Sequence, residues 1–258
     1  MRSDLFSNTE AGTGQLGFTM QNGKMLKATV NNTEFYARRG AMVGYQGNIR
    51  FEYQGITGGP GGGGMKDKLI RAAKAAVTGE GVPLMKVAGQ GDVFLADAAA
   101  DIFLIDLEGA DALSINGPSI LAFESSLNYD IKLVGNAGAF AGAGLFNTVV
   151  FGTGRVAVVS HGHPVVLDCS QQPTYVDPNA AICWSANLNV SLQRSEGFGS
   201  LFGRTSGESL QMMFHGPGFV VVQPYEWIAG VGQTGTEGGS SSPVGGAGGV
   251  LGGILGGR

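Results

Sequence analysis

The sequence predicts an all-β protein made of three fused units of one kind. The main observation is a five-residue motif, Gly-x-Gly-x-Val, which occurs at 89–93, 152–156 and 216–220. The first glycines of the three copies are 63 and then 64 residues apart, and repetition at a fixed period indicates a repeated architecture. Apolar stretches typical of β-strands flank each motif, and the 46 glycines among 258 residues suit many tight turns.

The similarity between the units extends beyond this motif. Segments 102–106 and 164–168 correspond, as do 127–131 and 188–192, and the first unit offers 25–30 and 48–51 in equivalent positions. These matches predict three barrel-like or sandwich-like β-units at 15–56, 79–134 and 145–194, closed by C-terminal strands 210–224 in a single body 1–228 with pseudo-threefold symmetry. The last motif has no unit after it, so we expect the last strand, 219–223, to dock on the first unit.

Two segments outside the units have their own character. Residues 57–78 are predicted to be a Gly-rich linker followed by one helix, about 65–77, with a mostly alanine face and a basic face. This helix is expected to pack over a sheet opening or a neighbouring subunit, and the alternative is weak contact with an anionic membrane surface. Residues 229–258 are Gly/Ser-rich without periodicity, which predicts a disordered tail.

Charge is low and unevenly distributed along the chain. The formal net charge of −4 argues against a nucleic-acid-binding protein, which would normally present a basic face. Residues 1–78 hold ten Lys/Arg against five Asp/Glu, whereas residues 79–141 hold two against nine. This asymmetry has two explanations: solvated faces with no partner, or a head-to-tail contact between the basic first unit and the acidic second unit of a neighbouring copy.

No residues form a convincing catalytic, cofactor-binding or metal site, and we predict none. The Gly-x-Gly-x-Val motif lacks the third glycine and the helix of a dinucleotide fingerprint, and Gly59 to Lys66 departs from a phosphate-binding loop because Met65 stands where lysine is required. His161 and His163 have a spacing used by some metal sites, but Gly162 and Pro164 favour a turn.

Other residues that could carry chemistry are better explained structurally. His215 precedes Gly216-Pro217 and is predicted to be a turn residue, while Asp106 and Glu108 are expected at a solvated strand edge. The chain has two cysteines, Cys169 and Cys183, of which Cys183 lies in an apolar run and is expected to be a buried free thiol.

There is no apolar window long enough to span a membrane and no secretory signal, so we expect cytoplasmic residence.

Several short segments together resemble a known family. Arg39-Gly40-Ala41-Met42-Val43, and Gly79-Glu80-Gly81 before a Gly-x-Gly-x-Val strand, are similar to the mitochondrial-biogenesis family named for altered inheritance of mitochondria, number twenty-four. Leu127-Asn128-Tyr129 and Leu145-Phe146-Asn147 resemble its actinobacterial branch. The resemblance covers about residues 1–225 and carries no catalytic residues over.

That resemblance implies three fused units similar to the tryptophan RNA-binding attenuation protein, and chains that assemble as trimers or multiples of three. The attenuator's RNA and tryptophan sites are not carried over, because this chain is acidic and has no Lys/Arg repeat at the threefold period. The sequence therefore predicts a non-enzymatic homo-oligomeric scaffold or interaction protein. The alternatives are a small-ligand or metal-binding module that uses clefts between units, and a peripheral membrane organiser that uses helix 65–77.

Overall fold

The structure is a computed structural model, and it describes residue 3 and residues 14–55, 84–134, 146–193 and 211–225. Within these ranges the chain forms β-strands joined by turns and one short 3-10 helix, Gly117–Ser119. The strands are β1 (Gly17–Asn22), β2 (Met25–Arg38), β3 (Met42–Gly55), β4 (Leu84–Leu95), β5 (Asp101–Leu107), β6 (Ala112–Asn116), β7 (Ile120–Glu124), β8 (Asn128–Leu133), β9 (Phe146–Phe151), β10 (Gly154–Ser160), β11 (Val165–Asp168), β12 (Thr174–Val176), β13 (Ala181–Ser185), β14 (Asn189–Gln193), β15 (Gln211–His215) and β16 (Phe219–Val222).

The strands form three antiparallel sheets, which confirms the predicted all-β class. The first sheet has seven strands in the order β3-β4-β2-β7-β10-β5, with β1 added beside β2. The second has the order β11-β16-β13-β6-β9-β8, and the third has the order β12-β15-β14. The predicted helix 65–77 and the predicted tail 229–258 lie outside the described residues.

One pairing pattern recurs at each Gly-x-Gly-x-Val motif. The strand segment that begins at the end of the motif lies between two other strands. The valine of the motif pairs with one residue on each of these two strands. The triplets are Val93 with Ala28 and Tyr45, Val156 with Ile105 and Phe123, and Val220 with Leu167 and Trp184. The segment before the motif is likewise flanked by two strands in all three cases. We call these three copies repeat 1 (25–95), repeat 2 (101–160) and repeat 3 (165–222).

The repeats are out of phase with the units predicted from the sequence. Each motif lies in the last strands of a repeat. The predicted boundaries put β4 in the second unit, but β4 pairs along its length with β2 and β3 and therefore belongs to repeat 1. The last strand does not dock on the first unit: β16 pairs with β11 and β13 and completes repeat 3. The predicted pseudo-threefold, barrel-like arrangement in space stays a prediction.

The motif glycines adopt backbone conformations that other residues rarely reach, which confirms the predicted turn or bulge role. Gly91 has φ +143°, and an added Cβ would stand 2.0 Å from the backbone oxygen of Gln46 on β3. In repeat 1 the motif bends one long strand, β4, whereas in repeats 2 and 3 it connects two strands that lie in different sheets, β9 to β10 and β15 to β16. Glycine lets the backbones approach closely at this bend.

Three apolar cores lie along the chain of repeats and overlap at their boundaries. The first combines residues of repeat 1, such as Phe35 and Val87, with Leu121 and Ala157 of repeat 2. The second combines residues of repeat 2, such as Ile120, with Ile182 of repeat 3 and Leu84 of repeat 1. The third core consists of residues of repeat 3 with Val134, and among the described residues it has no member from repeat 1. Shared cores explain why the described strands lie in one compact unit, Met1–Trp227.

Candidate functional site

Neighbouring repeats are joined by strand pairing of one kind. In the first junction, the second half of β2 pairs with β7 and sets Tyr36 opposite Phe123. In the second junction, β6 pairs with β13 and sets Ser114 opposite Trp184. β6 corresponds to the second half of β2, because both pair with the strand segment before their motif. β13 corresponds to β7, because both pair with the strand after their motif. One rule therefore joins repeat 1 to repeat 2 and repeat 2 to repeat 3.

Side chains reinforce both junctions at equivalent places. At the end of β2, an Arg38 Nη1 donates to the backbone oxygen of Pro118 at 2.6 Å. At the end of β6, Asn116 Nδ2 donates to the backbone oxygens of Pro178 and Ala181, both at 3.0 Å. Each donor thus bonds to a carbonyl group in the turn that leads into the partner strand. Pro178 and Ala181 are buried residues, and an unsatisfied buried carbonyl would cost free energy.

The third pair of corresponding strand segments forms no junction among the described residues, since the two segments do not pair with each other. In repeat 3, β12 corresponds to β6, because it pairs with the strand before the motif, β15. In repeat 1, residues 42–47 of β3 correspond to β7 and β13, because they pair with the strand after the motif. β12 and β3 are edges of two different sheets. We call these two segments, 42–47 and 174–176, the open junction.

Exposure separates the open junction from the two closed ones. Phe123 and Trp184, on β7 and β13, are 0% and 3% exposed. Their counterpart Tyr45 is 49% exposed, and Val43 beside it is 56% exposed. On the other side of the open junction, Tyr175 is 52% exposed. These segments have the apolar side chains of a junction strand without the cover, and such edges are templates for further strand pairing.

A cleft of about 310 Å³ lies where the ends of the three repeats meet. Its lining comes from turns and strand ends: Arg38, Arg39 and Gly40 of repeat 1, with Asp97 and Ala98 just after it; Asn116, Pro118, Ser119 and Val159 of repeat 2, with His161 just after it; and Asn179 of repeat 3, with Gln223 just after it. The cleft is therefore a product of the repeat architecture, and no single repeat could form it.

Most polar groups of the cleft hold the repeats together. Gln223 is buried, and its Oε1 accepts from the backbone N–H of His161 at 3.0 Å while its Nε2 donates to the oxygen of Asn179 at 2.9 Å. An Arg38 Nη2 lies 2.6 Å from a carboxylate oxygen of Asp97. Arg39 is exposed, with its guanidinium 5.5 Å from the centre of the Tyr53 ring. Arg39 is therefore an exposed cationic residue in the lining of the cleft.

The structure separates the histidines that the sequence suggested as metal ligands. The His161 ring packs against the ring of Tyr225 at 5.1 Å, whereas the exposed His163 faces the ring of Phe103 at 5.7 Å. His215 is the last residue of β15 and is exposed. Within the described ranges, no group of three or more His, Cys, Asp or Glu side chains is placed to hold a metal ion.

The remaining candidate residues have structural surroundings. Cys183 and Cys169 are buried free thiols, and burial raises the pKa of Cys183 to about 12. Asp106 on the edge strand β5 accepts from the Arg155 side chain at 2.6 Å and 3.2 Å, and this pairing lowers the pKa of Asp106. Glu108 is exposed in the turn that follows.

The basic first part of the chain meets the acidic second part within one molecule. Lys24 pairs with Asp101 at 2.9 Å, and Lys27 lies 3.3 Å from Asp92. Together with Arg38 and Asp97, these pairs join residues of 1–78 to residues of 79–141. The charge asymmetry therefore has an intramolecular explanation, and a contact with a neighbouring copy is not needed to account for it. In the part of the chain that the structure describes, no helix is long and apolar enough to cross a membrane.

The fold defines a class, that of antiparallel β-proteins in which one pattern of strand pairing recurs three times along the described chain. A family model described as "Mitochondrial biogenesis AIM24" matches residues 18–225, and the chain belongs to this family. The resemblance to this family inferred from the sequence is thereby confirmed, while the actinobacterial branch and the attenuator-like units stay predictions. None of the curated proteins compared with the chain matches it. A crystal structure of a Streptococcus pyogenes protein is similar, with 20% identity and a TM-score of 0.60, covering 82% of this chain and 94% of that one. At this identity the likeness shows a shared fold alone.

Sequence reasoning missed the open junction, although a signal for it exists. With the repeats in phase, an aromatic residue stands opposite every motif valine: Tyr45, Phe123 and Trp184. The spacing conceals this, because 48 residues separate Tyr45 from Val93, whereas 33 and 36 residues separate the other two pairs. The extra length in repeat 1 falls between β3 and β4, where the predicted linker and helix lie.

Proposed function

We propose that the protein is a non-enzymatic homo-oligomeric scaffold or interaction protein. The observation that carries the proposal is the exposure of residues 42–45 of β3, whose counterparts in repeats 2 and 3 are buried junction strands. An apolar edge with an unpaired backbone favours association, because a partner strand would satisfy its N–H and C=O groups and bury its side chains. Assembly is therefore the function that this surface supports best.

The polar groups of the cleft support a non-enzymatic role. A nucleophile needs an adjacent base, yet His161 packs against Tyr225 and the cleft amides of Asn116 and Gln223 bond to backbone carbonyl groups. The proposal includes trimers or multiples of three chains, as the resemblance implies. It also includes cytoplasmic residence, because two buried free thiols suit a reducing compartment.

Native mass spectrometry of the purified chain, at micromolar concentration and at low and high salt, tests this proposal. We expect trimers or multiples of three that persist at high salt, because the exposed edge is apolar and the main ion pairs lie within one chain. Dissociation at high salt would instead favour a charged contact between copies. A monomer at all concentrations would overturn the scaffold proposal.

A second candidate function is the binding of a small anion in the cleft. The exposed guanidinium of Arg39 at the mouth of a cavity of about 310 Å³ favours it. Calorimetric titration with inorganic phosphate should show binding that Arg39→Ala abolishes. Arg50→Ala, which removes an exposed arginine of β3 outside the cleft lining, should leave binding unchanged. Absence of heat with the unaltered protein would exclude phosphate as the ligand.

A further inference from the structure

We propose that the cleft binds a small hydroxylated organic anion, whose anionic group pairs with Arg39 and whose hydroxyl group bonds to Ser119. This inference rests on the second candidate function, the binding of an anion in the cleft. It names the class of ligand and the residue that selects it. It follows from the polar groups of the lining that the fold itself does not use.

The hydroxyl group of Ser119 is the first observation. Ser119 is the last residue of the short 3-10 helix, is 6% exposed and lines the cleft. Its hydroxyl group takes part in no hydrogen bond within the described part of the chain. By contrast, the hydroxyl group of the buried Ser160 donates to the backbone oxygen of Gly162 at 2.6 Å. A buried hydroxyl group without a partner costs free energy, and a ligand that bonds to Ser119 would remove this cost.

The larger polar side chains of the lining already have partners inside the protein. The amide of Asn116 donates to two backbone oxygens, and the amide of Gln223 bonds through both its oxygen and its nitrogen. These side chains hold the walls of the cleft in place. They therefore leave Ser119 free to choose between ligands by hydrogen bonding, since a serine hydroxyl group can both donate and accept.

The charge of Arg39 is the second observation. Arg38 lies 2.6 Å from Asp97, whereas Arg39 has no carboxylate partner among the residues that the structure describes. The lining thus contains two arginines and one aspartate, which leaves one positive charge without a counter-charge. A guanidinium group binds carboxylate and phosphate groups through two parallel hydrogen bonds. The ligand is therefore expected to carry such a group.

The size of the cleft indicates more than an inorganic ion. Its volume of about 310 Å³ is close to the lower end of the range for small-molecule sites, about 300–1,000 Å³. The lining includes apolar surface from Ala98, Pro118 and Val159, which carbon atoms of a ligand could contact. An anion on a short hydroxylated carbon chain would meet the charge, the hydroxyl group and this apolar surface together.

Calorimetric titration with glycerol phosphate, propyl phosphate and inorganic phosphate tests the inference. Glycerol phosphate and propyl phosphate share the anionic group and the three-carbon chain, and they differ in the hydroxyl groups. The unaltered protein should bind glycerol phosphate about threefold to tenfold tighter than propyl phosphate, the effect of about one added hydrogen bond. Ser119→Ala should make the two affinities equal and leave that for inorganic phosphate unchanged. Arg39→Ala should abolish the binding of all three.

Ser170→Ala is the matched control, because Ser170 is exposed in the turn after β11 and lies outside the lining. This variant should keep the preference for glycerol phosphate. The melting temperature of Ser119→Ala should not fall, because the hydroxyl group that it removes has no partner in the fold. A lower melting temperature would assign Ser119 a structural role and overturn the inference.

The three probes also separate this inference from the function on which it rests. Equal affinities of the unaltered protein for glycerol phosphate and propyl phosphate would overturn the inference and leave anion binding standing. A preference that survives Ser119→Ala would do the same. Absence of binding of all three probes to the unaltered protein would overturn both.

Discussion

At the residue scale, the fold depends on glycines at which two strands approach closely. Gly91 illustrates this dependence, because a side chain there would meet the backbone oxygen of Gln46, which cannot move without displacing β3. Gly152, the first glycine of the motif in repeat 2, also has a positive φ, +107°, but no atom lies closer than 3.9 Å to an added Cβ. The two positions therefore separate backbone strain from steric collision.

Gly91→Ala should destabilise the protein more than Gly152→Ala. Conformational strain at positive φ costs about 1–3 kcal/mol and applies to both variants, whereas the collision with Gln46 applies to Gly91→Ala alone. Urea denaturation followed by circular dichroism should rank the free energies of unfolding as unaltered protein, Gly152→Ala, Gly91→Ala. Equal losses for the two variants would show that the close approach of β4 and β3 carries no energetic weight.

Two buried acids should make the protein lose stability in alkaline solution. Burial raises the pKa of Cys183 from 9.0 to about 12, and burial together with the nearby Tyr36 raises that of Tyr129 from 10.0 to about 12. The unfolded chain releases these protons first, so the free energy of unfolding is unaffected below about pH 9 and falls between about pH 9 and 12. Each group contributes at most about 1.4 kcal/mol per pH unit.

Cys183→Ala and Tyr129→Phe test this assignment, because each removes one titrating group from the core. The fall in unfolding free energy from pH 9 to 11, measured by urea denaturation, should be shallower in both variants than in the unaltered protein. An unchanged slope in either variant would show that its group does not cause the alkaline loss.

At the element scale, the junctions between repeats are the parts that convert three similar units into one body. Asn116 is central to the second junction, because its amide satisfies two carbonyl groups, those of Pro178 and Ala181, on buried residues. Its loss would remove a side-chain donor from both carbonyl groups at the boundary of two cores. Stability therefore depends on polar groups as well as on the apolar cores that overlap there.

Asn116→Ala should lower the free energy of unfolding by about 1–3 kcal/mol, the usual cost of leaving a buried polar group without its partner. Asn187→Ala is the matched control, since Asn187 also donates to a proline carbonyl, that of Pro217 at 2.9 Å, but is exposed. The control should change stability by less than about 0.5 kcal/mol. Thermal denaturation compares the two, and similar losses would argue against a special role for the junction.

The elements also show where prediction from sequence succeeds and where it stops. The strands around each motif follow from alternating apolar residues and glycine turns, and these were predictable because their causes are local. The boundaries of the repeats were not predictable in this way. The motif marks the end of a repeat and not its start, and only the pairing of β4 with β2 and β3 shows this. Long-range pairing leaves no local pattern in the chain.

At the scale of the whole molecule, the candidate site depends on which strand is left at an edge. Phe123 and Tyr45 are both aromatic residues in apolar surroundings, and the sequence does not distinguish the buried one from the exposed one. Within the described residues, Phe123 lies on β7, which pairs with β2 of repeat 1, whereas Tyr45 lies on β3, an edge strand of its sheet. Long-range strand pairing therefore decides which of the two aromatic side chains is covered.

A charge in the open junction should dissociate the assembly without unfolding the chain. Val43→Lys places an ammonium group on the exposed edge of β3, where pairing with a second copy would have to desolvate it. Sedimentation velocity should show monomers with an unchanged melting temperature of the chain. Val166→Lys is the control, because Val166 is 63% exposed on another edge strand, β11, and this variant should remain assembled. Dissociation by both substitutions would point to a non-specific charge effect.

The most direct test of the account is amide hydrogen exchange of the two open-junction segments as a function of protein concentration. Pairing between copies would protect backbone N–H groups of 42–47 and 174–176 at high concentration and release them on dilution. The edge strands β8 and β14, which lie outside the open junction, should exchange at the same rate throughout. Fast exchange of 42–47 and 174–176 at every concentration, or protection that persists in monomers, would contradict the account.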